Sequence, residues 1–215
     1  MKVIVFDTET TGLPKKWNAS ITDKDNWPHI VQFSWILYDL DNNTINSCID
    51  YIVKLPDGVT IPPEATEIHG ITNEKMREKG VDCSKVIEHF NMDLGKAQIL
   101  IAHNLKFDKT MVQVESYRRR IDNIFDSKDC IYYCSMLYGK DLCRLKRYNK
   151  YSGKEEVKYP KLVELHEFLF HETPENLHNS LIDVIVCFRC FYKMQYDRDL
   201  YIDNPHVKQV VENKT

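Results

Sequence analysis

Two acidic residues directly follow a short hydrophobic run near the start of the chain. Residues 2–6 read Lys-Val-Ile-Val-Phe, which is typical of a central β-strand, and Asp7 and Glu9 come next. Side chains two positions apart on a strand point to the same face of the sheet, so the two carboxylates lie on one face. Two acids at the end of a buried strand are costly unless a cation neutralises them, and such oxygen ligands suit Mg²⁺ or Mn²⁺. The alternative is a strand that simply ends in solvated polar residues, and the short pattern alone does not decide.

A third acid, Asp108, follows a second apolar run. That run covers residues 99–102 and predicts a strand that is buried on both faces. Asp108 lies four residues past Asn104, a predicted helix N-cap, and therefore belongs to the first turns of the next helix. We expect Phe107 to turn to the core while Asp108 faces a cleft. The alternative is that Asp108 only stabilises the positive end of the helix dipole.

A fourth acid, Asp183, lies five residues after His178 at the start of another hydrophobic helix. Its neighbours in the sequence are apolar, and a lone carboxylate is expensive in such a setting. Asp183 is therefore either a functional acid or one half of an ion pair, for example with Arg144, Arg147 or Lys161. His178 alone would also be compatible with a capping or surface histidine.

The hydrophobic pattern predicts an α/β fold with a mixed five-stranded sheet flanked by helices. Strand-like runs come first as an antiparallel group and then alternate with helical runs. The predicted strands cover residues 2–8, 30–39, 44–54, 99–102 and 130–134. Helices are predicted around residues 86–94 and 107–118 and over residues 162–170 and 181–196. We expect a single domain over residues 1–200 and a loosely ordered C-terminal tail over residues 201–215.

Composition points to an intracellular globular protein, in the cytoplasm or the nucleus. The 215 residues are 43% hydrophobic and 28% charged. No run approaches the roughly 18 apolar residues of a membrane helix, and the short apolar start does not match a signal peptide. Seven scattered cysteines argue against a disulfide framework. Cys187 and Cys190 form a C-x-x-C pair in an apolar helix, where packing is favoured over a metal site.

The net charge of −3 excludes a generally basic nucleic-acid coat, but the charge is uneven. The segment from Lys140 to Lys161 holds eight basic and three acidic residues, interleaved with tyrosines. Such a segment could guide a phosphate backbone, or it could be a solvated basic loop. The sequence leaves both readings open.

The order of the acidic motifs is far more specific than any one of them. The chain resembles the DnaQ-like, or DEDDh, 3′→5′ exonuclease family, which has a ribonuclease-H-like fold. The matching segments are FDTETTGL at 6–13, EIHGIT at 67–72, HNLKFD at 103–108, YPKLVEL at 159–165 and HNSLID at 178–183. Ser180 stands where the family usually has alanine, a small exchange that is expected to leave His178 in place.

This resemblance implies a two-metal active site. Asp7 would bridge two Mg²⁺ ions, for which Mn²⁺ is expected to substitute. Glu9 and Asp183 would complete the first site, and Asp108 would anchor the second. His178 would take the proton from the attacking water, a task that suits imidazole at neutral pH. The expected products are nucleoside 5′-monophosphates released one at a time.

The resemblance also implies contacts to the last nucleotide of a substrate. The expected substrate is the 3′ end of a single strand, with DNA favoured over RNA, because backbone and stacking contacts accept any base. The implied substrate-binding residues are Thr8, Thr10, Leu13, His69, His103 and Phe107. Loop packing is the alternative for Leu13, and core packing explains Phe107 nearly as well as a contact to the base.

Two rival functions remain open at this point. An exoribonuclease that trims RNA 3′ ends would use the same carboxylates, since the chemistry at phosphorus ignores the 2′ position. A nucleic-acid-binding module without catalysis is the alternative of another class, although it would have no need of clustered acids. Proofreading is compatible with either chemistry, and any polymerase partner would then be a separate chain.

Overall fold

The computed structural model describes residues 1–122, 124–127 and 129–213, and its centre is a mixed six-stranded sheet. The strands are β1 (Lys2–Thr10), β2 (Ile30–Asp39), β3 (Thr44–Lys54), β4 (Val81–Asp82), β5 (Ile99–Ala102) and β6 (Ile131–Cys134). They lie in the order β4-β3-β2-β1-β5-β6. β2 is antiparallel to both β1 and β3, whereas β5 runs parallel to β1 and β6 parallel to β5. The carboxyl ends of β1, β5 and β6 therefore meet at one edge of the sheet.

Helices cover both faces of this sheet. They are α1 (Pro63–His69), α2 (Asn73–Lys79), α3 (Cys83–Leu94), α4 (Leu105–Arg119), α5 (Ile124–Ser127), α6 (Ser135–Cys143), α7 (Leu162–Phe170), α8 (Ser180–Tyr196), α9 (Leu200–Asp203) and α10 (Pro205–Glu212). A separate hairpin is formed by β7 (Lys146–Asn149) and β8 (Lys154–Val157). Within the described ranges, no helix has both the length and the apolar character needed to cross a membrane.

Alternation along β1 divides the core into two layers. Phe6 packs with Phe33 and Phe90 on the face that α3 and α4 cover. Val5 points the other way and joins the cluster that contains Phe188 of α8. Each layer is a continuous apolar contact surface, and this positions α4 and α8 on opposite faces of the same strand.

The predicted mixed α/β sheet flanked by helices is confirmed, with one strand more than the five predicted. The additional strand is β4, which pairs with the end of β3 through only two residues, Val81 and Asp82. A strand of this length has no hydrophobic periodicity that sequence could reveal.

Two local predictions differ from the structure. Asn104 precedes α4 but adopts a left-handed conformation with φ 64°, and its side chain makes no capping hydrogen bond. The segment predicted as a loose tail, residues 201–215, instead contains helices as far as Glu212. Val207 is buried there, and the Asn204 amide donates to the hydroxyl of Tyr38. These tertiary contacts and the i, i+3, i+4 repeat of Val207, Val210 and Val211 hold the segment in place. Residues 214 and 215 lie outside the described residues.

Candidate active site

The four predicted acids converge at the carboxyl edge of the sheet. Asp7 and Glu9 lie near the end of β1. Asp108 occupies the first turn of α4, which follows the neighbouring parallel strand β5. Asp183 occupies the first turn of α8, on the opposite face. Burial, followed by the negative charges of Asp7, Asp183 and Asp108, raises the pKa of Glu9, so three distant stretches of chain meet at one point.

Asp108 is held in place by β1. It is only 3% exposed, and its Oδ1 accepts hydrogen bonds from the Thr8 backbone N–H at 3.1 Å and from the Thr8 hydroxyl at 2.8 Å. These bonds tie the start of α4 to the strand that carries Asp7 and Glu9. The hydroxyl of Thr8, a predicted substrate contact, is thus already engaged with Asp108.

His178, Glu9 and Asp183 form the tightest part of the cluster. One ligand atom from each residue lies within 4.8 Å of those of the other two. The backbone N–H of His178 donates to Asp183 Oδ1 at 3.3 Å, and Asn179 caps α8 by accepting from the Leu181 N–H. The His178 ring is exposed, on a residue with φ 69°. The predicted pairing of this histidine with the acids is therefore geometrically possible.

Ser180 connects α8 to the strand that carries the acid pair. Its hydroxyl donates to the backbone carbonyl of Asp7 at 2.7 Å, and its N–H donates to Gln32 Oε1 at 3.3 Å. The Gln32 amide in turn donates to Asp50 Oδ1 at 2.7 Å. This contact was missed from the sequence, where Ser180 looked like a neutral replacement for alanine. No local signal could have revealed it, because Ser180 and Asp7 are 173 positions apart.

Burial and mutual repulsion make the acidic cluster electrostatically unfavourable without a counter-ion. Burial raises the pKa of Asp7 from 3.8 to about 7. Burial, followed by the charge of Asp7, also raises the pKa of Asp108 and of Asp183 well above the ordinary range. Among the described residues, none of the four acids forms an ion pair, and the pairing of Asp183 with Arg144, Arg147 or Lys161 is not observed. A set of oxygen ligands with excess negative charge fits divalent cations such as Mg²⁺ or Mn²⁺.

A cavity of about 440 Å³ adjoins the acids and is lined by most of the predicted substrate residues. We call it the terminal cavity. Its wall contains Glu9, one side of α1, and the predicted contacts Thr8, Thr10, Leu13, His69 and Phe107. Leu13 is 73% exposed at this wall, so its side chain is available to contact a ligand in the cavity. His69 is buried, its Nδ1 accepts from the Ile71 N–H at 3.1 Å, and burial lowers its pKa.

His103 does not line the terminal cavity. Its Nδ1 lies 2.9 Å from the Ser135 hydroxyl and its Nε2 lies 3.1 Å from the Pro160 carbonyl. Burial lowers the pKa of His103 to about 4, so the ring is neutral and can donate to that carbonyl. His103 therefore braces the end of β5 against α6 and Pro160, and the prediction that it contacts the last nucleotide has no support in this arrangement.

The basic segment Lys140–Lys161 forms the end of α6 and the β7–β8 hairpin. Part of its charge is neutralised, because Lys146 pairs with Glu155 at 3.1 Å and Lys158 pairs with Glu164. Tyr151 at the hairpin turn is fully exposed.

The raised carboxyl pKa values lead to an expected pH dependence of stability. Between about pH 4 and pH 7 the folded protein retains a proton that the unfolded chain releases, so metal-free stability should fall as pH rises through this window. We expect the melting temperature in EDTA to be lower at pH 7.5 than at pH 5.5, and Mg²⁺ to raise it more at the higher pH. Differential scanning fluorimetry measures both effects. An equal response to Mg²⁺ at the two pH values would contradict the electrostatic description of the cluster.

Comparison with known proteins identifies the family of this architecture. The family model RNase_T, described as "Exonuclease", matches residues 4–191. Among solved structures, Escherichia coli exonuclease I in complex with a dT13 oligonucleotide is similar over 92% of this chain, with TM-score 0.68 and 18% identity. A moderately thermophilic exonuclease I from Methylocaldum szegediense is similar over 94%, with TM-score 0.64 and 19% identity. A zinc-bound form of an E. coli exonuclease I–ssDNA complex is similar over 94%, with TM-score 0.64 and 16% identity.

These structural neighbours are longer than the chain. The chain spans 42% of each of the three exonuclease I chains named above. At these identities the similarity establishes the fold alone. No curated protein sequence matches the chain.

Proposed function

Because this chain belongs to the exonuclease family and has the DnaQ-like, ribonuclease-H-like fold, we propose that it is a metal-dependent 3′→5′ exonuclease acting on single-stranded DNA. The expected products are nucleoside 5′-monophosphates. The observation that carries the proposal is the convergence of Asp7, Glu9, Asp108 and Asp183 beside the terminal cavity. A cavity for one terminal nucleotide next to a set of cation ligands is what stepwise removal of nucleotides requires.

The acids are suited to hold two divalent cations. Asp7 would contact both, Glu9 and Asp183 would complete one site, and Asp108 would anchor the other. When bound, such a pair of ions would neutralise the charge that develops on the scissile phosphate. Thr8 keeps Asp108 oriented, and Ser180 keeps the start of α8 against β1. Both residues thus position the acids.

His178 is proposed as the base that accepts a proton from the attacking water. A ring nitrogen of His178 lies in the same small cluster as Glu9 and Asp183, and the exposed ring is accessible to water. An imidazole at this place can accept a proton at neutral pH and release it to solvent. The same geometry would also allow His178 to bind a cation, and these two roles predict different results on substitution.

The terminal cavity is proposed to hold the last nucleotide. Leu13 is exposed beside Gly12, whose φ of 147° permits the turn that follows β1. Leu13 and Phe107 offer apolar surfaces to a base, which is a contact that accepts any base. The E. coli exonuclease I structures with dT13 and with ssDNA support the choice of a single DNA strand as substrate.

The proposal is tested by digesting labelled oligonucleotides. We expect 5′-labelled single-stranded DNA to give a ladder that shortens from the 3′ end, and 3′-labelled DNA to release labelled mononucleotide at once. Both reactions should require Mg²⁺ or Mn²⁺ and should stop in EDTA. RNA of the same sequence serves as the parallel substrate.

The other outcomes are also informative. Faster digestion of RNA would replace DNA by RNA as the substrate and leave the polarity intact. Immediate release of the 5′ label would contradict the proposed direction. Binding of the oligonucleotide without cleavage under all metal conditions would favour a binding module.

A further inference from the structure

Three cavities lie side by side around the start of α4. The terminal cavity shares Phe107 with a small cavity of about 70 Å³ that also contacts Trp17. This small cavity shares Asn104 and Lys106 with a third cavity of about 410 Å³. We call the third cavity the distal groove. It is lined by Asn104, Leu105, Lys106, Lys109, Tyr132, Cys134, Met136, Leu137 and Tyr159.

The distal groove lies at the same sheet edge as the acids. Apart from Tyr159, its lining residues come from the segment directly after β5 and from β6 and the segment after it, and both strands run parallel to β1. With about 4.8 Å between neighbouring strands, the end of β6 is roughly 10 Å from the end of β1 along this edge. Crevices at the carboxyl ends of parallel strands are where α/β proteins usually bind ligands. The groove is therefore placed to continue the path of a strand whose end occupies the terminal cavity.

Flat side chains are exposed along this path. Trp17 is 55% exposed, and its ring lies 6.0 Å from that of Phe107. Tyr159 is 48% exposed at the far end. Tyr132 also lines the distal groove and is 37% exposed, with its hydroxyl donating to the Phe125 carbonyl at 3.3 Å. Rings of this kind can stack on unpaired bases of any sequence.

Positive charge accompanies these rings. The Lys109 ammonium lies 4.2 Å from the centre of the Tyr132 ring. Lys140 lies 4.6 Å from the centre of the Tyr159 ring. Within the described ranges, neither Lys106 nor Lys109 forms an ion pair with an acidic residue, in contrast to Lys146 and Lys158 of the basic segment. The two lysines thus offer charge that no carboxylate among these described ion pairs neutralises.

We propose that the distal groove binds the nucleotides upstream of the scissile phosphate, with bases on Tyr132 and Tyr159 and phosphates at Lys106 and Lys109. This inference rests on the proposed exonuclease function and extends it from the last nucleotide to a track of several. Charge complementarity selects the occupant, because a groove with aromatic walls and unpaired lysines suits a polyanion with flat bases.

The test compares a short and a long substrate in matched double variants. Lys106→Ala combined with Lys109→Ala removes two charges from the groove. Lys79→Ala combined with Lys85→Ala removes two exposed charges from α2 and α3, neither of which lines the three cavities. KM and kcat are measured on dT12 and dT3, and equilibrium binding of fluorescent dT12 is measured by anisotropy in Ca²⁺. Tyr159→Ala provides a second, uncharged perturbation of the groove.

We call the double variant Lys106→Ala, Lys109→Ala the groove variant. We expect it to raise KM for dT12 about tenfold, with kcat within about twofold of the wild type. The ratio of kcat/KM for dT12 to kcat/KM for dT3 should fall by a similar factor. The slope of log Kd against log salt for dT12 should decrease by about 1.4, the value for two phosphate contacts on a single strand. Tyr159→Ala should weaken dT12 binding without changing the salt slope, and the control variant should match the wild type.

Wild-type-like KM, affinity and salt slope in the groove variant would overturn the proposal. Failure of the exonuclease proposal is a separate result. A protein that binds dT12 without cleaving it would contradict the proposed catalysis, and the anisotropy comparison would still decide whether the distal groove binds the strand.

Discussion

Asp7→Asn should abolish hydrolysis of single-stranded DNA, with kcat falling by at least about 10³-fold. The side chain lies at the centre of the acidic cluster, and its charge is the second cause, after burial, that raises the pKa of Glu9, Asp108 and Asp183. Asparagine preserves the shape of the side chain but removes the charge that is proposed to hold both cations. Initial rates on 5′-labelled dT12 in Mg²⁺ measure the effect.

Stability separates this loss of activity from misfolding. Because Asp7→Asn removes one of four mutually repelling charges, its melting temperature in EDTA at pH 7.5 should equal or exceed that of the wild type. Asp57→Asn, at an exposed loop position, is the matched control and should retain full activity. Equal activity in Asp7→Asn and the wild type would mean that another nuclease in the sample cleaves the DNA.

His178→Ala should lower kcat by about 10² to 10⁴-fold, the usual contribution of a general base. Binding of dT12 in the presence of divalent metal should stay within about threefold of the wild type, since the proposed cation ligands are intact. His178 is exposed, so the substitution does not open a cavity in the core. His206→Ala, at another exposed histidine, is the matched control.

The binding measurement distinguishes the two roles that the geometry permits for His178. Loss of metal-dependent binding to the same extent as kcat would make His178 a cation ligand beside Glu9 and Asp183. A lower kcat with intact metal-dependent binding would identify His178 as the base.

The strands and long helices could be predicted from sequence because their signal is local. Residues 30–39, 44–54 and 99–102 match β2, β3 and β5 in full, since each is rich in β-branched, aromatic or other apolar residues and turn residues separate the first two. The predicted bounds of α7, residues 162–170, agree with the structure at both ends, because its apolar pattern is also local. The short helices α1 and α2 were missed, because seven residues give too few turns for a periodic pattern.

The acids could be recognised because each adjoins a hydrophobic element whose end the sequence marks. Their supporting contacts could not be recognised, since Thr8 reaches Asp108 across 100 positions and Ser180 reaches Asp7 across 173. His103 shows that a position within a motif does not by itself determine what the side chain contacts. It directly follows β5 within the second motif, but its ring points toward Ser135 and Pro160 and away from the terminal cavity. The direction of one side chain in a loop depends on packing that sequence does not show.

Titration with Mn²⁺, followed by electron paramagnetic resonance, tests the site most directly, because free and bound Mn²⁺ give different signals. We expect saturable binding of two Mn²⁺ ions per wild-type chain in the presence of a nucleoside 5′-monophosphate, and at least about tenfold weaker binding in Asp7→Asn. Absence of saturable binding, or equal binding by the wild type and Asp7→Asn, would contradict a cation centre built from these four carboxylates.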